Sequence, residues 1–287
     1  MLEQIINRTR DKAPLIHNIT NYVTANDCAN ITLACGASPI MAEDIGEVEE
    51  VTSLAAALVI NTGVLTEAKL LEMLAAGRCS NELVHPVILD PVGVGVSRFR
   101  TYAIRRLLKE IRFQVIRGNS SEIKKLYELY EMDSGKPKIE TGSNPHNGVD
   151  VSDIDIITED NLDYFIIIAK KLATYSGAII VMTGAIDIIT DGIRVKLIYN
   201  GCTMLKLVSG SGCMLSAVIG AYCGANPQEC FDACVAAVGT IGLCGDYAYE
   251  RMQFKQEGSA SYRIHLIDYV SQLDGSRLMR GIRMEER

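Results

Sequence analysis

The chain reads as an α/β protein: a mostly parallel sheet with helices on both faces and an antiparallel hairpin at one edge. Three observations carry this reading. Short, continuously apolar, β-branched runs alternate with longer helical patterns, as strands buried on both faces do. Each of these runs ends in a glycine and a polar group. The last is followed by two more extended runs around an Asp-Gly pair, and from there the pattern is helical.

The elements follow in order. Ala57-Leu58-Val59-Ile60-Asn61 is a strand, and a helix over residues 66–76 comes next, capped by Thr66 and stopped by Gly77. Val87-Ile88-Leu89-Asp90 is a second strand, ended by Pro91 and Gly93, and residues 100–111 are helical. Phe113-Gln114-Val115-Ile116-Arg117 is a third, closed by Gly118-Asn119, with Ser120-Ser121-Glu122 opening the next helix. A helix over residues 161–175 precedes Ala178-Ile179-Ile180-Val181-Met182, the fourth. Ile186-Asp187-Ile188-Ile189-Thr190 and Arg194-Val195-Lys196-Leu197-Ile198-Tyr199 pair across a type I′-like Asp191-Gly192 turn. Helices over 212–223, 227–249 and 262–273 make up most of the remainder. Residues 132–155 break the pattern and read as a surface insertion, either a functional lid or a disordered excursion. The alternation resumes beyond it without an internal repeat, so residues 1–287 are read as one domain.

Composition narrows the function. Of 287 residues, 48% are hydrophobic and 22% charged, which excludes global disorder. A net charge of −7 without a long basic run argues against a nucleic-acid surface or a polybasic membrane patch, and for a small soluble ligand. Residues 1–8 lack an apolar signal core, and the most apolar long segment, 214–223, is too short to span a bilayer. The nine cysteines form no Cys-x-x-Cys pair, and Cys230 and Cys234, one helical turn apart, have no partners that complete a zinc set. Reduced, mostly buried thiols in a cytoplasmic protein are expected.

The most informative motif is Ser209-Gly210-Ser211-Gly212-Cys213, followed by the apolar run 214–221. Its two glycines allow a tight turn and a close backbone approach to a ligand. The helix start behind them offers free N–H groups and a partial positive charge, which suit a transferring phosphoryl group. A cysteine in that first turn is expected to have a stabilised thiolate. In open α/β sheets ligands bind beyond the carboxyl ends of the strands, which singles out Asn61 and Gly63, Asp90 to Gly93, Arg117-Gly118-Asn119, and Thr183-Gly184. Asp90 and Glu122 are carboxylates suited to Mg²⁺; equally, Asp90 can cap the turn before Pro91 and Glu122 can complete an N-terminal capping pair. Arg117 can clamp a phosphate bidentately or pair with a carboxylate. Thr183-Gly184 can touch a nucleotide or open the hairpin. Among four histidines only His17, between apolar neighbours and beside Asn18 and Thr20, has an unusual context, which reads as a hydrogen-bonded turn. Neither a Gly-x-Gly-x-x-Gly after a first strand nor a P-loop signature is present.

Jointly these residues resemble the hydroxyethylthiazole kinase family. The resemblance lies in Pro14-Leu15-Ile16-His17-Asn18-Ile19-Thr20-Asn21-Tyr22-Val23, Gly36-Ala37-Ser38-Pro39-Ile40-Met41-Ala42, Leu89-Asp90-Pro91-Val92-Gly93-Val94-Gly95 and Ile116-Arg117-Gly118-Asn119. It continues through Thr183-Gly184-Ala185-Ile186-Asp187, Thr190-Asp191-Gly192 and Gly210-Ser211-Gly212-Cys213-Met214-Leu215, so the motifs run in order along nearly the whole chain. The resemblance implies a ribokinase-like three-layer sandwich and phosphorylation by ATP of the hydroxyl of 4-methyl-5-(2-hydroxyethyl)thiazole in thiamine salvage. It also implies a homotrimer with interfacial active sites. By the same resemblance Met41, Asn21 and Gly210 fall on thiazole-binding positions; Arg117, Thr183 and Asn119 fall on the ATP side; Asp90 and Glu122 fall on the Mg²⁺ side; and Gly212 and Cys213 fall at the catalytic loop. Related kinases carry an aspartate base where this chain, like many thiazole kinases, has Cys213. The threonines usual in the anion loop are serines here, Ser209 and Ser211, and the segment from about residue 130 to 147 is longer than the family usually carries. Two rival functions stand beside this one. A ribokinase-like hydro-lyase acting on hydrated NAD(P)H would be expected to keep aspartate at position 213. A non-catalytic thiazole or thiamine sensor would not need Asp90, Glu122 and Arg117.

Overall fold

The structure, a computed structural model, describes residues 2–133 and 156–287. The insertion expected over 132–155 lies outside them, apart from the end of one helix. The strands are β1 (Leu15–Ile19), β2 (Ser38–Ile40), β3 (Ala57–Asn61), β4 (Val87–Asp90), β5 (Val115–Asn119), β6 (Ile179–Thr183), β7 (Asp187–Thr190), β8 (Val195–Ile198) and β9 (Met284–Glu286). They form one sheet in the order β2-β1-β3-β4-β5-β6-β7-β8-β9. Pairings from β2 to β6 are parallel and those from β6 to β9 antiparallel.

Strand period two sorts the apolar side chains into two cores. Ile16, Val59, Ile88, Val115 and Val181 point to one face. There they meet α1 (Leu2–Lys12), α2 (Ala25–Ala34), α8 (Ser211–Ala225), α9 (Cys230–Lys255), α10 (Ser259–Gln272) and α11 (Gly275–Gly281). Leu58, Ile60, Leu89, Ile116 and Ile180 point to the other. That face is covered by α3 (Val48–Leu54), α4 (Glu67–Glu82), α5 (Arg98–Glu110), α6 (Ser120–Asp133) and α7 (Leu162–Ser176). Both faces are covered, which is why β3, β4 and β6 read as nearly unbroken apolar runs. The helix α9 is long and apolar enough to cross a membrane by composition, yet 83% of its most apolar window is buried inside the protein. Its hydropathy is that of a core helix.

Four local expectations are corrected. The His17 segment is a strand, paired on both sides, not a turn: the ring of His17 bonds Thr52 Oγ1 through Nδ1 (2.9 Å) and the carbonyl of Ala42 through Nε2 (2.8 Å). The helix α4 runs past Gly77, whose bare Cα faces the side chain of Ile111. The Asp-Gly hairpin is wider than a two-residue turn, because Thr190 pairs with Val195 and only Gly192 has a positive φ. Asp191 holds this loop by accepting the N–H groups of Ile193 (3.0 Å) and Arg194 (2.8 Å). Finally, the helical C-terminal third ends in a strand, β9, which adds to the hairpin edge.

Candidate active site at the strand ends

Parallel pairing from β2 to β6 brings the carboxyl ends of these strands to one edge of the sheet. Asn21 follows β1, Met41 follows β2, Asn61 ends β3, Asp90 ends β4, Arg117 and Asn119 lie at the end of β5, and Thr183 ends β6. The helix α8 packs over β1, β3 and β4 with its N-terminus at this edge. Gly210, at φ +84°, makes the turn into the helix, and a Cβ there would stand 2.4 Å from Cγ2 of Thr24. A Cβ on Gly212 would stand 2.4 Å from a guanidinium nitrogen of Arg117. The glycine loop therefore serves two close approaches, one to the segment after Asn21 and one to the arginine.

The side chains at this edge form one network. Asn61 accepts at Oδ1 from Asn21 Nδ2 (3.0 Å) and from the Gly63 amide (2.9 Å). Its own Nδ2 therefore faces the other way, donating to Asp90 Oδ2 (2.7 Å) and to Cys213 Sγ (3.2 Å). Asn21 also donates to that sulfur at 3.7 Å. Ser216, one turn into α8, donates to Asp90 Oδ2 at 2.9 Å. Asp90 Oδ1 is buried without a hydrogen-bond partner, and Arg117 lies 3.5 Å away. Arg117 donates to Thr183 Oγ1 at 2.9 Å and is 9% exposed.

Glu122 turns out to cap and to face the site at once. Its carboxylate accepts the amides of Asn119 (2.8 Å) and Gly93 (3.2 Å), while Asn119 Oδ1 accepts the amide of Glu122 (2.8 Å). This reciprocal cap opens α6. Burial, and after it the charge of Asp90, pushes the Glu122 carboxyl up to about 7 against the pull of Arg117. Met41 is partly buried against the same apolar cluster as Cys213.

The expected thiolate at Cys213 is corrected. Burial first and the Asp90 carboxylate second push the thiol up to about 11, outweighing Thr24, Arg117 and Asn61, which pull the other way. Near neutrality Cys213 is a thiol. Of the ten residues singled out in the sequence, Asn21, Asp90, Arg117, Thr183, Gly212 and Cys213 meet in one network; Gly210 joins through Thr24, and Glu122 with Asn119 flanks it. Met41 stands beside them one strand over. Sequence reasoning missed the hub role of Asn61, although its place at a strand end marked it, and it missed Ser216, which looks like helix filler.

The chain is similar to known proteins along most of its length. The profile of the Hydroxyethylthiazole kinase family matches residues 6–276. A hydroxyethylthiazole kinase of Clostridium acetobutylicum is 47% identical over 285 residues, covering 99% of each chain. The structure of a hydroxyethylthiazole kinase protein from Pyrococcus horikoshii OT3 superposes with a TM-score of 0.84 at 31% identity, covering 100% of this chain and 98% of that one. A ribokinase-like superfamily protein from Enterococcus faecalis shares the fold at 13% identity, with a TM-score of 0.61 over 94% of each chain. By sequence and by fold, this chain belongs to the hydroxyethylthiazole kinase family.

Proposed function

We propose that this chain transfers the terminal phosphoryl group of ATP to the hydroxyl of 4-methyl-5-(2-hydroxyethyl)thiazole, a thiamine-salvage reaction. The observation that carries the reading is the apposition of Gly212, at the N-terminus of α8, with the buried guanidinium of Arg117. Free helix N–H groups and a fixed cation then face one point, where charge develops on a transferring phosphoryl group. Arg117, Thr183 and Asn119 line the ATP side; Asn21, Met41 and Gly210 hold the thiazole.

Asp90 and Glu122 fit Mg²⁺. One oxygen of Asp90 is a buried acceptor without a hydrogen-bond donor, and the charge of Asp90 pushes the Glu122 carboxyl up against the pull of Arg117. Mg²⁺ takes one or two protein carboxylates beside phosphate oxygens and water, and it would neutralise charge on the phosphates. The protein's own work is positioning. Asn61 and Asn21 fix the Cys213 sulfur as an acceptor, so the thiol orients the substrate hydroxyl, while Arg117 and the α8 amides stabilise the moving charge. In phosphoryl transfer this stabilisation outweighs a base. The same reading makes the protein a cytoplasmic homotrimer with sites at subunit interfaces. Tyr22 (80% exposed) and Val23 (61%), next to Asn21, supply an uncovered apolar rim.

The test is incubation with Mg-ATP and a panel of hydroxyethylthiazole, hydroxymethylpyrimidine and hydrated NADH, with products followed by mass spectrometry. Thiazole phosphate alone is the expected product. Turnover of hydrated NADH would favour the hydro-lyase, and tight thiazole binding without product would favour a sensor.

A further inference from the structure

Asn21 and Met41 stand on neighbouring segments that strand pairing does not hold together at their own level. β1 and β2 pair only through Leu15, Ile16 and His17 with Ser38, Pro39 and Ile40, and the chain leaves the sheet at Met41. Two side chains tie the departing segment down. His17 holds the carbonyl of Ala42, as described. Lys69, in the first turn of α4, donates to Glu43 Oε1 at 2.7 Å and to the carbonyl of Thr20 at 2.5 Å. Thr20 immediately precedes Asn21, and Glu43 lies two residues beyond Met41. One ammonium thus bridges the two segments that carry the thiazole contacts and makes no bond to the phosphate side. The Lys69 side chain is 10% exposed and that of Glu43 45% exposed. A buried ammonium persists only where it is paired and hydrogen-bonded, so the grip fixes the lysine as well as the loop.

We propose that Lys69 is a positioning residue that sets the spacing between Asn21 and Met41, and so determines affinity for the thiazole without acting in phosphoryl transfer. The proposal rests on the thiazole reading of this site. Lys69→Met keeps the aliphatic stem and removes the three donors. The expected result is a rise of about 10-fold or more in KM for hydroxyethylthiazole, with kcat and KM for ATP within about 3-fold of wild type. Lys69→Arg, which keeps the positive charge and the donors, recovers most of that loss. Amides of residues 41–46 exchange hydrogen faster in Lys69→Met than in wild type. Should Lys69→Met not fold, Glu43→Ala carries the test through the same bridge, with a smaller rise of about 3-fold in the same KM. An unchanged thiazole KM, or a loss shared equally among kcat and both KM values, overturns the proposal. If wild type forms no thiazole phosphate, the substrate reading fails and the proposal with it; if wild type forms it while the variants keep its KM, the proposal fails alone.

Discussion

At Cys213 two effects oppose each other: the helix N-terminus favours a thiolate, while burial and the nearby Asp90 carboxylate disfavour it. Burial wins, and the thiol sits at about 11. Ionisation of Cys213 therefore leaves no step in kcat between pH 7 and pH 9. Cys213→Ala should lower kcat by less than about 10²-fold, the low end of what a positioned base contributes. Gly212→Ala is expected to do more harm. Its methyl would meet the Arg117 guanidinium at 2.4 Å and push it from its place, lowering kcat by at least about 10²-fold while the fold stays intact. Steady-state kinetics with a thermal melt of each variant checks both, and the reverse ranking would return catalysis to the cysteine. His17 makes a pH prediction. Burial holds its imidazole below the ordinary value, so the unfolded chain takes up the proton more readily than the folded one. Stability from this group is complete above about 6.5 and is lost as pH falls through the folded value. Melting curves between pH 5 and 7.5 should show His17→Gln with a shallower acid loss than wild type. These details were not legible in the sequence. The Gly-Ser-Gly-Cys loop and the polar strand ends were, because ligand sites in such sheets collect there; the burial that decides the state of Cys213 depends on which strands pack beside α8.

The helix α8 shows what an element needs in order to bring its N-terminus to the strand ends. Gly220 faces the sheet, where a Cβ would lie 2.5 Å from Cγ2 of Val59 and 3.3 Å from Cγ2 of Ile16. The close seat allows Ser216 and Cys213 to reach Asp90 and Asn61. Gly220→Ala should destabilise the protein by about 1–3 kcal/mol through overpacking, read from urea denaturation, and should lower kcat at temperatures where the protein remains folded. Elements with an apolar run and a clear stop were legible: β3, β4, β6, α7 and α8 lie close to where the sequence puts them. β1 was not, because His17 and Asn18 mimic a turn and the His17 partners Thr52 and Ala42 are set by tertiary packing. β9 was not, because a short exposed strand carries no hydropathy signal. Gly77 misled because it is small for packing and ends nothing.

Over the whole molecule, one sheet and two helical layers hold residues from positions 21 to 216 within a single hydrogen-bonded network. Order along the chain made this legible as a class of protein, since β3, β4, β5 and β6 all end in polar residues, but the pairing of donors and acceptors across strands was not. The proposed homotrimer predicts that light scattering of the purified protein returns three times the monomer mass of 31.3 kDa. The most direct measurement of the central claim uses hydroxyethylthiazole carrying a heavy-oxygen label in its hydroxyl, incubated with Mg-ATP and analysed by mass spectrometry. The expected result is thiazole phosphate that keeps the label, with one ADP formed per product molecule. ADP released without thiazole phosphate, or a phosphate ester that has lost the label, would contradict phosphoryl transfer to the thiazole hydroxyl.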